Sequence, residues 1–277
     1  MPAHSVIRSV NWHLISTCNY SCRFCFARNL GEQPVSFSEG LTILSHLADA
    51  GMEKINFAGG EPLLHPRLFD YCRAARDLGM TVSITTNGSL LSQKLIGEHA
   101  ACIDWIALSV DSASESTEKR LGRGYGQHVQ HCIGLSDAVR EAGIRLKINT
   151  TVTRLTWEED MADFIQRTSP DRWKVLQMLH IQGENDGAMA DLAVTDKQFQ
   201  TFCARHADVI LRGGVQPVFE SSAMIEGSYF MITPGGCVKT DTGRVIRKYP
   251  LADVLQVGIS GFVDEGLYLS RGGVYAW

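Results

Sequence analysis

The feature that most constrains this 277-residue chain is an alternation of short apolar runs with amphipathic stretches, repeated about six times. The runs at 9–15, 54–57, 81–85, 105–110, 145–152 and 173–179 have the length of strands. Between the first two, Leu41, Leu44, Leu47 and Ala48 recur at helical spacing, Ser36 and Glu39 form a capping-box signature, and Gly51 stops the helix. Further helices are expected over 66–78, from Ser92, up to Gly143 and over 157–167, with a longer loop at 111–127. Strands joined by helical crossovers imply an α/β fold, a parallel sheet covered by helices, open or curled into a partial barrel. After His180 the pattern weakens into a loop at 182–194, a helix capped by Thr195, and short strands with Gly-rich turns. No linker cuts the chain, so residues 1–180 are expected as the core and 181–277 as a C-terminal extension over the active site.

Chemistry concentrates where the first strand ends. Cys18, Cys22 and Cys25 form a CxxxCxxC triplet, with Cys72, Cys102, Cys132, Cys203 and Cys237 scattered singly and expected as buried thiols. A structural zinc site wants four ligands, and neither a second CxxC nor a His pair is present. Three thiolates suit a cluster that leaves one iron open, and strand ends are where α/β folds place active sites. A net charge of −4 and a pI near 6.1 argue against a general binder of polymeric nucleic acid or of membrane surfaces, but not against a local basic pocket. No run approaches the length of a membrane span, and a cytoplasmic protein is expected.

The triplet resembles that of the radical S-adenosylmethionine (SAM) enzymes. That resemblance implies a [4Fe–4S] cluster on Cys18, Cys22 and Cys25, SAM as second cofactor, and a partial (βα)6 barrel with a C-terminal extension. Gly59-Gly60-Glu61-Pro62, after the second strand, is similar to the family's SAM-binding GGEP motif. Phe24 fits its aromatic position before the third Cys, and Asn87, Ser109 and Arg154 match further SAM-binding positions.

More specifically, Asn11-Trp12-His13, residues 52–57, Lys147-Ile148-Asn149, residues 172–175, Gly183-Glu184-Asn185 and the terminal Arg271-Gly272-Gly273-x-Tyr275-x-Trp277 resemble the viperins over nearly the whole chain. That family dehydrates nucleoside triphosphates to 3′-deoxy-3′,4′-didehydro analogues, which terminate polymerase products. The resemblance therefore implies such a dehydratase, with CTP first and UTP next as substrate, an electron donor such as flavodoxin or ferredoxin, and a monomer. It makes Tyr229 the candidate general acid for the departing hydroxyl.

The residues agree with a polyanionic substrate. Lys54, Arg123, Lys147, Arg172 and Lys174 fall in strands or in loops between them. Lys147 and Asn149 share one strand face by the period-two rule, as do Arg172 and Lys174. Strand interiors rarely carry Lys without a partner or a cavity to face. Two departures from the viperins bear on base preference. Ala58 stands where a Ser is common, and the loop at 125–129 is shorter, less basic and lacks an Asn beside its His. The membrane-binding N-terminal helix of animal viperins is also missing, which points to a soluble microbial form. The alternative is another radical SAM chemistry, peptide-modifying or cofactor-maturing, although those enzymes often carry extra Cys clusters that this chain lacks. A non-enzymatic iron–sulfur or zinc protein would leave Gly59–Pro62 and the strand lysines unexplained.

Overall fold

The computed structural model describes residues 5–27 and 31–277. Its strands are β1 (Ser9–His13), β2 (Lys54–Ala58), β3 (Thr81–Thr86), β4 (Trp105–Ser109), β5 (Arg145–Val152), β6 (Arg172–Gln177), β7 (Val218–Glu220), β8 (Met231–Ile232), β9 (Cys237–Thr240) and β10 (Arg247–Pro250). They form one sheet in the order β10-β9-β8-β1-β2-β3-β4-β5-β6-β7. β1 to β8 pair in parallel, and β9 and β10 add antiparallel partners at one edge. The sheet is open, and its first six strands with their helices make the partial (βα)6 barrel that the resemblance implies. The C-terminal residues lengthen this sheet at both edges, with β7 beside β6 and β8 beside β1.

The covering helices are α1 (Phe37–Asp49), α2 (Leu68–Asp77), α3 (Gln93–His99), α4 (Glu115–Leu121), α5 (His128–Glu141), α6 (Ala162–Thr168), α7 (Met189–Leu192) and α8 (Asp196–His206), followed by the short α9 (Ser222–Ile225), α10 (Leu251–Val257) and α11 (Glu265–Ser270). Ser36 and Thr195 both form full capping boxes, with Glu39 and Gln198, as the sequence suggests for Ser36. Gly40 lets α1 approach α2, because a Cβ there would collide with the Tyr71 ring. Trp12, Phe57 and Tyr71 pack behind the sheet at this contact.

Three segments differ from expectation. The 111–127 loop contains α4, capped by Ser114 and ended by Gly122 in the left-handed region. The helix expected at 157–167 begins only at Ala162, because turns closing on the Thr153 carbonyl precede it. The 182–194 loop includes the single turn of α7. Of the scattered cysteines, Cys72, Cys102 and Cys132 are buried, whereas Cys203 and Cys237 are half-buried. Among the described residues no helix is long and apolar enough to cross a membrane.

One strand of the site, β5, alternates strictly in burial. In β5, Leu146, Ile148, Thr150 and Val152 are buried against the helices, and Lys147, Asn149 and Thr151 line the inner face.

Candidate active site

A cavity of about 270 Å³ opens on that inner face, and the Cys18–Cys25 loop forms one end of it. This loop rests on the end of α4: the Ser21 N–H donates to the Gly122 carbonyl at 3.1 Å and the Arg23 N–H to the Leu121 carbonyl at 2.9 Å. A side chain at Gly122 would collide with the Ser21 carbonyl, so the helix missed from the sequence is what props the thiols. On the other side lies Gly59-Gly60. The Gly60 N–H donates to the Ile15 carbonyl at 2.6 Å and the Glu61 N–H to the Thr17 carbonyl at 2.9 Å. A Cβ at Gly59 would stand 2.5 Å from the Ile15 oxygen, and one at Gly60 would overlap the Thr17 carbonyl.

The donor set suits an iron–sulfur cluster. Cys18, Cys22 and Cys25 all line the cavity, yet among the described residues no three metal-ligating side chains converge on a single ion. A mononuclear zinc needs each sulfur near 2.3 Å from one centre. A larger multi-iron group matches three separated thiols. Burial pushes the Cys22 thiol up to about 12 against the pull of Arg123, so this thiol stays protonated until a metal displaces the proton.

Phe24 is buried beneath Arg123, whose guanidinium carbon is 5.7 Å from the ring centroid. Asn87 Nδ2 donates to Asn19 Oδ1 at 2.9 Å and lies 3.9 Å from the Cys18 sulfur. Ser109 lines the cavity beside Asp111. Glu61 is fully buried, and its carboxylate accepts from Thr86 Oγ1 and from the Leu63 and Asn87 N–H groups. Burial raises its pKa despite these donors. Arg154 lies outside the cavity, exposed, with Nε donating to the Asp191 carbonyl.

Arg123 is not with the strand lysines. The left-handed turn at Gly122 directs it to the end of β4, where Nε meets Asp111 Oδ2 at 2.6 Å and Glu118 Oε2 at 3.8 Å. These two carboxylates and the neighbouring Cys22 place it on the thiol side.

The remaining cations do converge, around a second, smaller pocket that shares Lys147 and Lys174 with the cavity. Lys54 is the first residue of β2 and Arg172 the first of β6, so both project near the strand N-termini beside Lys147 and Lys174. The chain terminus folds over them. Tyr275 accepts a hydrogen bond from Lys54 Nζ, and its ring centroid lies 3.8 Å from the Arg172 guanidinium. Arg172 Nη2 donates to the Gly272 carbonyl at 3.0 Å. Burial and the neighbouring Arg172 and Lys174 push Lys54 down to about 6; burial and Lys174 push Lys147 well below the usual lysine range. Crowded, buried like charges of this kind call for an anion.

Tyr229 stands at the edge of this floor. It accepts from Lys174 Nζ at 2.5 Å and donates to Glu220 Oε2 at 2.5 Å, and Lys174 also meets Glu220 Oε1 at 2.5 Å. Arg271 lies 3.6 Å over the Tyr229 ring. Burial and the Glu220 charge hold the Tyr229 hydroxyl well above the usual phenol range, and burial lowers Lys174 to about 8. Glu220, Arg271, Tyr275 and His13 were given no role from the sequence. Arg271 and Tyr275 belong to the terminal pattern noted above, whereas Glu220 reaches the site only because β7 pairs with β6. His13 lines the cavity with Nδ1 lacking a partner, kept neutral by burial and Lys239, which lower it to about 3.

The radical SAM superfamily profile matches residues 12–173. A protein of the Thermoplasmatales archaeon strain ISO4-H5, named S-adenosylmethionine-dependent nucleotide dehydratase, is 36% identical over 270 residues, covering 98% of this chain and 96% of its own. The RSAD2 protein of Oncorhynchus mykiss, of the same name, is 35% identical over 97% of this chain and 80% of its own. Streptococcus suis SuiB bound to S-adenosylmethionine superposes with a TM-score of 0.71 at 17% identity, over 96% of this chain and 68% of SuiB, and shows the fold alone. With that fold, the Cys loop it supports and relatives matched along almost its full length, the chain belongs to the radical SAM superfamily and, within it, to the viperin-like nucleotide dehydratase family.

Proposed function

We propose that this protein is a radical SAM dehydratase that converts a nucleoside triphosphate, CTP first and UTP next, to its 3′-deoxy-3′,4′-didehydro analogue. The observation that carries this reading is the gathering of cations where two pockets meet: Lys147 and Lys174 line the cavity that begins at the Cys triplet and also, with Lys54 and Arg271, a smaller adjoining pocket, and Arg172 stands close to Lys54 and Lys147. A triphosphate carries about four negative charges, and charge-assisted hydrogen bonds to fixed cations offset its desolvation.

A [4Fe–4S] cluster and SAM are the cofactors of the superfamily, and when bound they supply the 5′-deoxyadenosyl radical that takes the substrate's 4′-hydrogen. In this reading Cys18, Cys22 and Cys25 ligate the cluster. Gly59 and Gly60 present bare backbone to SAM, Phe24, Asn87 and Ser109 line its place, and Glu61 holds the Gly-Gly segment to the end of β3. Arg123 moves from the triphosphate set to the SAM side, where it stands beside Cys22 and Ser109, and Arg154 drops out of the set. Asn149, whose Oδ1 has no protein partner, faces the ribose.

Tyr229 is the proposed general acid. Its hydroxyl is kept protonated at neutral pH and can give that proton to the departing 3′-hydroxyl, which leaves as water. Lys174 Nζ, in hydrogen-bond contact, returns the proton. One electron completes the reaction, from a donor such as flavodoxin or ferredoxin. The setting is cytoplasmic, and the protein acts as a monomer in which residues 181–277 close the site built by residues 1–180.

Anaerobic incubation with SAM, a reductant and each of the four nucleoside triphosphates tests this. One nucleotide is expected to raise 5′-deoxyadenosine well above background and to yield its didehydro product. Equal, low release with every nucleotide would sink the dehydratase reading.

A further inference from the structure

The cavity holds a carboxylate that this chemistry leaves unused. Asp241 follows β9, is 2% exposed and lines the cavity. Its Oδ1 accepts a hydrogen bond from the Gly227 N–H at 2.8 Å, its own backbone N–H also pulls on the carboxylate, and among the described residues no cation forms an ion pair with it. Burial raises its pKa even though Gly227 and, at longer range, Lys239 pull the other way. A buried carboxylate held by backbone N–H groups alone, with no ion-pair partner, is costly unless a ligand's donor completes it. In a cavity built for a polyanion it would repel phosphate, so it has to face a neutral, hydrogen-donating part of the substrate.

Its position says which part. In the β8–β9 pair Met231 lies opposite Lys239, and two residues further the same register sets Asp241 opposite Tyr229 on the same face. Tyr229 touches Lys174, so Asp241 stands one strand away from the point where the cation floor ends. Next to it the wall is apolar, built by Leu176, Leu179 and Ile225 with Phe26 packed against them. An apolar wall that ends in one placed hydrogen-bonding group suits a flat heteroaromatic ring.

We propose that Asp241 selects the nucleobase by accepting a hydrogen bond from an exocyclic amino group, so that cytosine is taken in preference to uracil. The assignment rests on the nucleoside triphosphate reading above. Uracil in the same pose turns a carbonyl oxygen toward the carboxylate, two acceptors with no proton between them. Carboxylates accept from the cytosine amino group in nucleic-acid recognition, where a good bidentate pair is worth roughly 5- to 150-fold in discrimination.

The test uses the full chain with its cluster reconstituted anaerobically and SAM present, and reads dissociation constants for CTP and UTP. CTP is expected to bind wild type about tenfold tighter than UTP. Asp241→Asn keeps an acceptor for Gly227 and adds a donor, so it is expected to bring the ratio near one or to reverse it, with the affinities for SAM and inorganic triphosphate unchanged. Equal binding of CTP and UTP by wild type, or a ratio that the substitution leaves untouched, overturns the assignment. Lost SAM affinity with an unchanged base ratio also overturns it and gives Asp241 to the cofactor. Should the variant not fold, wild type is measured with the triphosphate of the pyrimidinone nucleoside that carries hydrogen in place of the cytosine amino group. That ligand is expected to bind about tenfold more weakly than CTP, and parity overturns the role of Asp241. Failure of the nucleotide reading has a separate signature: no nucleoside triphosphate then binds wild type more tightly than inorganic triphosphate, and base selection falls with it.

Discussion

At Gly60 one methyl group decides whether the thiol loop keeps its seat. A Cβ there overlaps the Thr17 carbonyl, a backbone atom that cannot swing away as a side-chain tip could. Gly60→Ala is therefore expected to cost about 1–3 kcal/mol and to displace the loop, lowering iron content after reconstitution as read by the cluster absorbance. Gly134, exposed in the middle of α5 with nothing near its would-be Cβ, is the matched control. Gly134→Ala is expected to raise stability by about 0.5–1 kcal/mol and leave the absorbance alone. A normal iron content in Gly60→Ala would remove the close approach as the reason for this glycine.

The strands show why part of the site can be read from the chain and part cannot. Lys147 with Asn149 and Arg172 with Lys174 were legible because a period of two fixes which side chains share a face. The Cys triplet and Gly59-Gly60 were legible because each is local in sequence. Helix α4 was not: its seven residues carry only Leu121 as a large apolar side chain, too little to show a helical period, although its caps, Ser114 and Gly122, are in place. That Arg123 stands apart from the strand lysines was hidden for the same reason, since its direction depends on how that helix ends. The strand cations also set a pH dependence. Lys54, near 6, is largely neutral at pH 7 without ligand, and a polyanion beside it favours the protonated form. Triphosphate binding is therefore expected to take up protons at pH 7 and to weaken as pH rises from 6 to 8. Calorimetry in buffers of different ionisation enthalpy measures that uptake, and none at pH 7 would refute the role of Lys54. For folding the sign is opposite: between pH 6 and about 10 the unfolded chain holds more protons at this residue than the folded one. Its contribution to ligand-free stability thus rises with pH across that window.

On the scale of the whole molecule, the two ends of the chain share one site. The thiols follow β1, while Arg271 and Tyr275 fold back beneath the first residues of β2 and β6. Tyr275→Ala removes the ring packed on Lys54 and Arg172, and it is expected to weaken triphosphate binding about tenfold while sparing SAM. Such a loss matches removal of one or two cation–π contacts at a desolvated site. Titration with inorganic triphosphate checks this, and an unchanged affinity would show the terminus to be a cover only. Glu220 escaped the sequence reading, and Arg271 was noted there without a role, because only docking of distant segments brings them together.

The placement of β1 has a kinetic consequence. This strand lies between β2 and β8, and its parallel partner β8 is made more than two hundred residues after it. Loop closure across such a separation is slow, so β1 gains its second neighbour late. Until then the flank of β1 later covered by β8, β9 and β10 stays open, and the Cys loop can be reached from that direction. On that order of folding, iron loading is expected to be fastest after α4 has formed the shelf for the loop and before the last strands close this flank.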